Sequence, residues 1–189
     1  MDRNIESFVK VYDGWVDSAL CKQTVLELGH PEWVQHTFYN PNTGANVNQS
    51  GSRELDVSWA RNVSTKQILM QRVWDGYRQY IQDLNFSWFD SWQGFSELRF
   101  NRYNEDRLMA LHCDHIHSMF DGNIKGIPTM TFLLMLNDDY DGGEFVMFDD
   151  KEIKMKEGTA VIFPSNFLYP HFVKPVTRGV RYSCVSWAY

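Results

Sequence analysis

The sequence predicts a mainly β protein with flanking helices (α+β), built on a double-stranded β-helix, or jelly roll, over roughly residues 95–189. Two observations predict it. From Phe95 onward, short apolar runs are divided by turn signals such as Asp141-Gly-Gly, Glu157-Gly and Arg178-Gly, the rhythm of an all-β double sheet. Before that region the clearest periodicity is helical, which supplies cover for one sheet. Aromatic residues make up 15% of the chain and include seven Trp. Most of that bulk must pack a core, with some left to line a binding surface.

At 189 residues the chain is expected to form one domain, with N-terminal helices over roughly 1–94 supporting the jelly-roll core. Phe8–Tyr12 reads as a short strand. A helix follows, capped by Asp17 or Ser18 and running through Leu20 and Val25 to about Leu28. The polar stretch Tyr39–Arg53 is rich in Asn, Gly and Ser and reads as a long loop, either a functional lid or plain surface. Ser64–Leu84 is the strongest helix. Ser64 to Gln67 has capping-box form, and Leu69, Val73, Tyr77, Tyr80 and Leu84 recur at helical spacing. That stripe is core, and the helix should back a sheet. The strands expected after it are Phe95–Tyr103, Met109–Ile116, Thr129–Leu136, Glu144–Phe148, Ile153–Met155, Thr159–Phe163, Tyr169–Val173 and Val180–Trp187.

Charge narrows the function classes. The net charge is −6 and no Lys/Arg run occurs, which disfavours nucleic acid as a partner. No window reaches eighteen apolar residues and no signal-peptide pattern opens the sequence, so no membrane span is expected. Three widely spaced cysteines, Cys21, Cys113 and Cys184, suggest a reducing, cytoplasmic setting without a disulfide frame. The oligomeric state is not legible.

His112-Cys-Asp114-His-Ile-His117 is the densest group of metal-ligand types. On a strand, His112 and Asp114 would share a face with Cα atoms roughly 6.6 Å apart, close enough to meet at one ion. Alternation alone does not say which face is inward. A zinc site using His115 and His117, or a solvated His-rich strand end, are the alternatives. Farther on, Lys174–Gly179 is turn-like, so the flanking strands should form a hairpin that sets His171 across from Arg181. Two imidazoles and one carboxylate on one side of a metal leave three positions open, an arrangement suited to non-haem Fe(II) oxygenases. A keto acid with a second carboxylate needs a fixed cation some way from the metal, and arginine's planar fork serves best.

With these residues assembled, the sequence resembles the prolyl-4-hydroxylase-like branch of the Fe(II)/2-oxoglutarate-dependent oxygenases. The likeness spans Phe95 to Trp187 and is loose before it. Its ordered elements are Tyr103, His112-x-Asp114, Gly142-Gly143-Glu144, Phe163-Pro164, His171, Arg181 and Trp187. Any one is weak, but the ordered set is highly specific. The resemblance implies that His112, Asp114 and His171 bind Fe(II) and that Arg181 grips the distal carboxylate of 2-oxoglutarate. It implies that Tyr103 lines that pocket, Thr131 stands beside the co-substrate, and Trp187 forms an aromatic wall near the metal. Dioxygen, with ascorbate as an accessory, completes the implied chemistry: oxidative decarboxylation to succinate and CO2 coupled to hydroxylation. The branch suggests a prolyl residue of a protein or peptide as substrate. A free amino acid or other small metabolite is the enzymatic rival, and a metal-binding jelly roll without activity, or a structural zinc protein, the non-enzymatic ones. Met135 departs from the pattern, since many relatives carry a tyrosine there, and no role is assigned to His115 or His117.

Overall fold

The computed structural model describes residues 4–40, 42–59, 62–89, 92–114 and 127–189. In the N-terminal half lie β1 (Lys10–Tyr12), α1 (Ser18–Glu27), β2 (Val34–Gln35), β3 (Phe38–Asn40), β4 (Ala45–Val47), β5 (Asp56–Ser58) and α2 (Lys66–Leu84). The middle holds β6 (Arg99–Tyr103), β7 (Met109–His112), β8 (Met130–Met135), β9 (Asp141–Gly142) and β10 (Phe145–Met147). The chain finishes with β11 (Lys151–Ile153), β12 (Ala160–Pro164), β13 (His171–Val173), β14 (Val176–Arg178) and β15 (Arg181–Ala188).

Two antiparallel sheets make the jelly roll. The larger runs β1-β12-β8-β15-β6-β5-β2 and the smaller β11-β10-β13-β7. Side chains alternate faces along a strand, so the central strands of the larger sheet feed two cores. Phe100, Phe132, Leu134, Ile162 and Cys184 point outward, where they meet Cys21 of α1 and Leu69, Val73, Tyr77 and Tyr80 of α2. Tyr103, Leu133, Val161, Val185 and Trp187 point inward against Met109, Phe145 and Val173 of the smaller sheet. The order of layers is therefore helices, large sheet, small sheet.

Why α2 lies so close to the sheet can be read at Gly76. A Cβ there would stand 2.7 Å from Phe132 Cε2 and 3.2 Å from Ile162 Cδ1. The helix's two buried phenols are satisfied: Tyr77 donates to the Ser186 carbonyl at 2.8 Å and Tyr80 to the Phe8 carbonyl at 2.7 Å. Asp17 caps α1 as expected, accepting from the Leu20 amide at 2.9 Å.

Four expectations are corrected. The N-terminal portion is more than helical support, because β1 extends one edge of the large sheet and β5 and β2 the other. The three residues of β5 are all buried, so no alternation marks it, and its Asp56 is held by Arg102 at 3.0 Å. Tyr39–Arg53 is not a featureless loop: β3 and β4 pair as a hairpin and Gly51–Arg53 is a 3₁₀ turn. Ser64 forms no capping box, because the N-cap is Thr65 without a side-chain cap bond. Both hydroxyls serve tertiary contacts instead, Ser64 to Glu27 at 2.5 Å and Thr65 to Thr24 at 2.7 Å. Finally, His171 and Arg181 do not face each other across a hairpin. β13 pairs with β7 and β10 in the small sheet, and β15 with β6 and β8 in the large one. Between them β14 pairs with β9 while the chain crosses from one sheet to the other.

Candidate metal and co-substrate site

The odd-numbered residues of three neighbouring strands face the space between the sheets. Arg181 lies opposite Tyr103, Ser183 opposite Asn101 and Val185 opposite Arg99, while Trp187 lies opposite Thr131 and Val185 also opposite Leu133. From the small sheet, His112, Phe145, His171 and Val173 close the same cavity, with Asp114 at its edge. A separate cleft lies between α1 and residues 136–139; Asp138, Asp139 and Glu157 line it, but among the described residues they do not converge into a group that could hold a metal ion.

His112 and His171 are register partners on β7 and β13, and their rings are 4.3 Å apart. Asp114 lies two residues beyond the end of β7 rather than on it. Its Oδ1 stands 3.4 Å from His112 Nε2 and 3.6 Å from His171 Nε2. The ligand atoms of the three lie within 4.8 Å of one another, a group that could hold one metal ion.

The surroundings prepare these atoms for a cation. His112 Nδ1 faces the Ala110 carbonyl at 2.8 Å and His171 Nδ1 the Tyr169 carbonyl at 3.0 Å. A carbonyl only accepts, so each Nδ1 carries the proton and each Nε2 presents its lone pair toward Asp114. Burial, reinforced by His112, lowers the His171 pKa to about 4, against the opposing pull of Asp114. Burial works against charge on Asp114, but His171, His112 and a Thr131 hydrogen bond together outweigh it and hold the carboxyl well below the usual range. At neutral pH the cluster thus offers the Asp114 carboxylate and the neutral His171 imidazole, beside His112 Nε2. Thr131 Oγ1 donates to Asp114 Oδ2 at 2.7 Å and also lies 2.7 Å from Ser165 Oγ. Having spent its proton on Asp114, Thr131 accepts from Ser165.

Arg181 is completely buried. Its Nη1 donates to Ser183 Oγ at 3.3 Å and its Cζ lies 4.6 Å from the centre of the Tyr103 ring. Nε and Nη2 are buried without any acceptor. A guanidinium is not left so in a protein interior without an anion to answer it. The donor set therefore fits a carboxylate, and the triad fits a divalent ion. Tyr103 directs its hydroxyl to Met109 Sδ at 3.8 Å, and Trp187 Nε1 is buried without an acceptor.

The structure thus brings together all seven residues singled out in the sequence: His112, Asp114, His171, Arg181, Tyr103, Thr131 and Trp187. Met135 accepts from the Tyr140 hydroxyl at 3.5 Å. His115 and His117, and with them the alternative zinc site, lie outside the described residues. Sequence reasoning missed Arg99, Asn101 and Ser165. The first two share strand parity with Tyr103, a signal that was present once the inward face was known. It also missed Phe38 on β3, whose ring lies 5.4 Å from His112.

Residues 98–189 match the model of the 2OG-Fe(II) oxygenase superfamily. A PKHD-type hydroxylase from Paracoccus denitrificans is 39% identical over 95 residues, covering 47% of this chain and 41% of that protein. The matched stretch is thus about two fifths of that curated relative's length. Among solved structures, a prolyl-4-hydroxylase from Pseudomonas putida superposes with a TM-score of 0.66 at 20% identity, over 95% of this chain and 91% of that one. A Trichoplax adhaerens prolyl hydroxylase, solved with a hypoxia inducible factor oxygen degradation domain peptide fragment, gives 0.70 at 18% identity, over 96% and 83%. These likenesses establish a shared fold. The family match and the buried His-Asp-His group fall on the same residues, so the C-terminal half is similar to the 2OG-Fe(II) oxygenases, and the chain has a prolyl-hydroxylase-like fold.

Proposed function

We propose that the protein is an Fe(II)- and 2-oxoglutarate-dependent dioxygenase that hydroxylates a prolyl residue in a protein or peptide. The observation that carries the reaction class is the pairing, in one cavity, of a His-Asp-His group with a completely buried guanidinium that has two nitrogens unpartnered. The prolyl substrate is supported by the PKHD-type and prolyl hydroxylase relatives.

In this reading His112 Nε2, His171 Nε2 and Asp114 Oδ1 hold the iron, which supplies the oxygen-activating redox chemistry once bound. The chain's own residues do the rest. Arg181 takes the distal carboxylate of 2-oxoglutarate with Nε and Nη2, a paired, charge-assisted contact in a dry setting. Tyr103 supports the guanidinium from its ring face. Thr131, itself held by Ser165, keeps Asp114 Oδ2 occupied so that Oδ1 points to the metal. Phe145, Phe163, Leu133 and Trp187 wall the cavity against water.

Purified protein supplied with Fe(II), 2-oxoglutarate, dioxygen and ascorbate is expected to release succinate, faster when a prolyl peptide is added and with one oxygen gained by the peptide in mass spectrometry. If Mn(II)-loaded protein fails to bind 2-oxoglutarate in a calorimetric titration, the reading is wrong.

A further inference from the structure

The proposed function uses Arg181 and the metal group but leaves a second guanidinium in the same cavity without a task. Arg99 stands on β6 with the parity of Asn101 and Tyr103, and all three line the cavity. It lies opposite Val185, four residues along β15 from Arg181, a separation of about 13 Å at strand rise. The two guanidinium-bearing positions are therefore at different ends of the strand row.

The Arg99 side chain is held in place. Its Nε donates to Asn101 Oδ1 at 3.1 Å, and its Cζ lies 4.9 Å from the centre of the Trp187 ring. Ring and amide together orient the fork while engaging, among the described residues, one of its five donors. Among the described residues no carboxylate lies within ion-pair distance of it. The nearest acid in sequence, Glu97, is bound by Lys66 at 2.9 Å. Within the cavity lining the one acid is Asp114, which belongs to the metal group. With Asp114 given to the metal and Arg181 to 2-oxoglutarate, the charge of Arg99 still has no partner among the described residues. Trp187, whose ring lies beneath the half-buried Arg99 guanidinium, carries a buried Nε1–H without an acceptor. Nearby His36 adds no charge of either sign at neutral pH, since burial, Arg99 and His112 keep its ring unprotonated.

We propose that Arg99 is the specificity-determining cation for the molecule to be oxidised, and that this molecule carries a carboxylate close to the reacting carbon. The proposal deepens the reading above and rests on it for the reaction, but the binding preference is measurable separately. The carboxylate comes either from a free amino acid such as L-proline or from an acidic side chain next to a peptide's prolyl residue.

The test uses the full chain loaded with Mn(II). A titration with 2-oxoglutarate reads the proposed function by itself. The protein, with 2-oxoglutarate if it binds and with Mn(II) alone if it does not, is then titrated with two acid–amide pairs. One is L-proline against L-prolinamide. The other is a capped Ala-Pro-Asp-Ala peptide against its Asn counterpart. In one pair the acid is expected to bind about tenfold or more tightly than the amide, and which pair does so identifies the source of the carboxylate. Arg99→Gln should remove that preference by weakening the acid and not the amide, and Arg99→Lys should keep part of it. No preference for either acid in the unaltered chain, including no binding at all, overturns the proposal. So does an equal loss for acid and amide in Arg99→Gln, the result of a merely structural role. Where that variant fails to fold, the comparison on the unaltered chain decides.

Discussion

Which nitrogen of each imidazole carries its proton sets the chemistry of the cavity. The Ala110 and Tyr169 carbonyls fix that choice for His112 and His171, and Thr131 does the equivalent for Asp114 by occupying Oδ2. Thr131→Val keeps the shape but removes the hydroxyl, leaving Asp114 Oδ2 and Ser165 without their partner. Metal affinity is expected to fall about 10- to 100-fold, measured by competition with a chelator; unchanged affinity would remove Thr131 from this role. Arg181 makes the sharper case, because its two free nitrogens are already desolvated before any ligand arrives. Arg181→Ala is expected to weaken 2-oxoglutarate binding by about 2–5 kcal/mol, read by calorimetry on Mn(II)-loaded protein. Normal affinity in that variant would exclude Arg181 from the co-substrate site. Arg181 is legible in the sequence through the ordered motif and Thr131 only through the resemblance, since a single Thr or Arg on a strand carries no such information.

At the scale of elements, the contact between α2 and the large sheet governs stability more than it does chemistry. Gly76→Ala gains helix propensity of about 1 kcal/mol but forces a methyl against the buried Phe132 ring, an overpacking cost of about 1–3 kcal/mol. Phe132 is fully buried and cannot swing away, so the second effect should win. Urea denaturation is expected to show a net loss of about 1 kcal/mol, on the balance of those two effects. A gain in stability would mean that the helix can withdraw from the sheet. The helix itself is plain in the sequence because its stripe repeats over about four turns. Its start is not, since Ser64 and Thr65 can satisfy either a helix end or a neighbouring element, and here Glu27 and Thr24 take them. The three-residue strands β3, β4 and β5 are too short to show any period. Asn- and Gly-rich β4 and its turn look like loop because pairing, rather than propensity, makes them sheet.

For the molecule as a whole, the buried imidazoles tie stability to pH. His171 sits at about 4 and His36 at about 3 when folded, each against an ordinary 6.5. Folding keeps both neutral, so between those values the unfolded chain binds more protons. The metal-free protein should therefore lose stability as pH falls from 6.5 toward 4, with no contribution from these groups above pH 7. A melting temperature that stays level from pH 7 to 4 would contradict the assignment. Removal of metal has the opposite character. The outer apolar layer, where the helices pack on the large sheet, stands apart from the proposed ligands, so chelation is expected to stop turnover while far-ultraviolet circular dichroism stays native. Unfolding by chelator would instead indicate a structural metal. Among the described residues no helix is long and apolar enough to cross a membrane.

What the sequence by itself determined is the class of fold and which residues to propose for its chemistry. Ligand types, their order and the strand–turn rhythm are properties of residue kind and spacing, and these survive without coordinates. What only the tertiary structure decided is how those residues meet. The expected route, a hairpin between His171 and Arg181, is absent; His171 pairs with His112 on one sheet and Arg181 with Tyr103 on the other. Strand alternation tells which residues share a face, but not which strands are neighbours or which face turns inward. Those depend on pairings between segments far apart in the chain, and the same pairings bring Arg99 into the cavity.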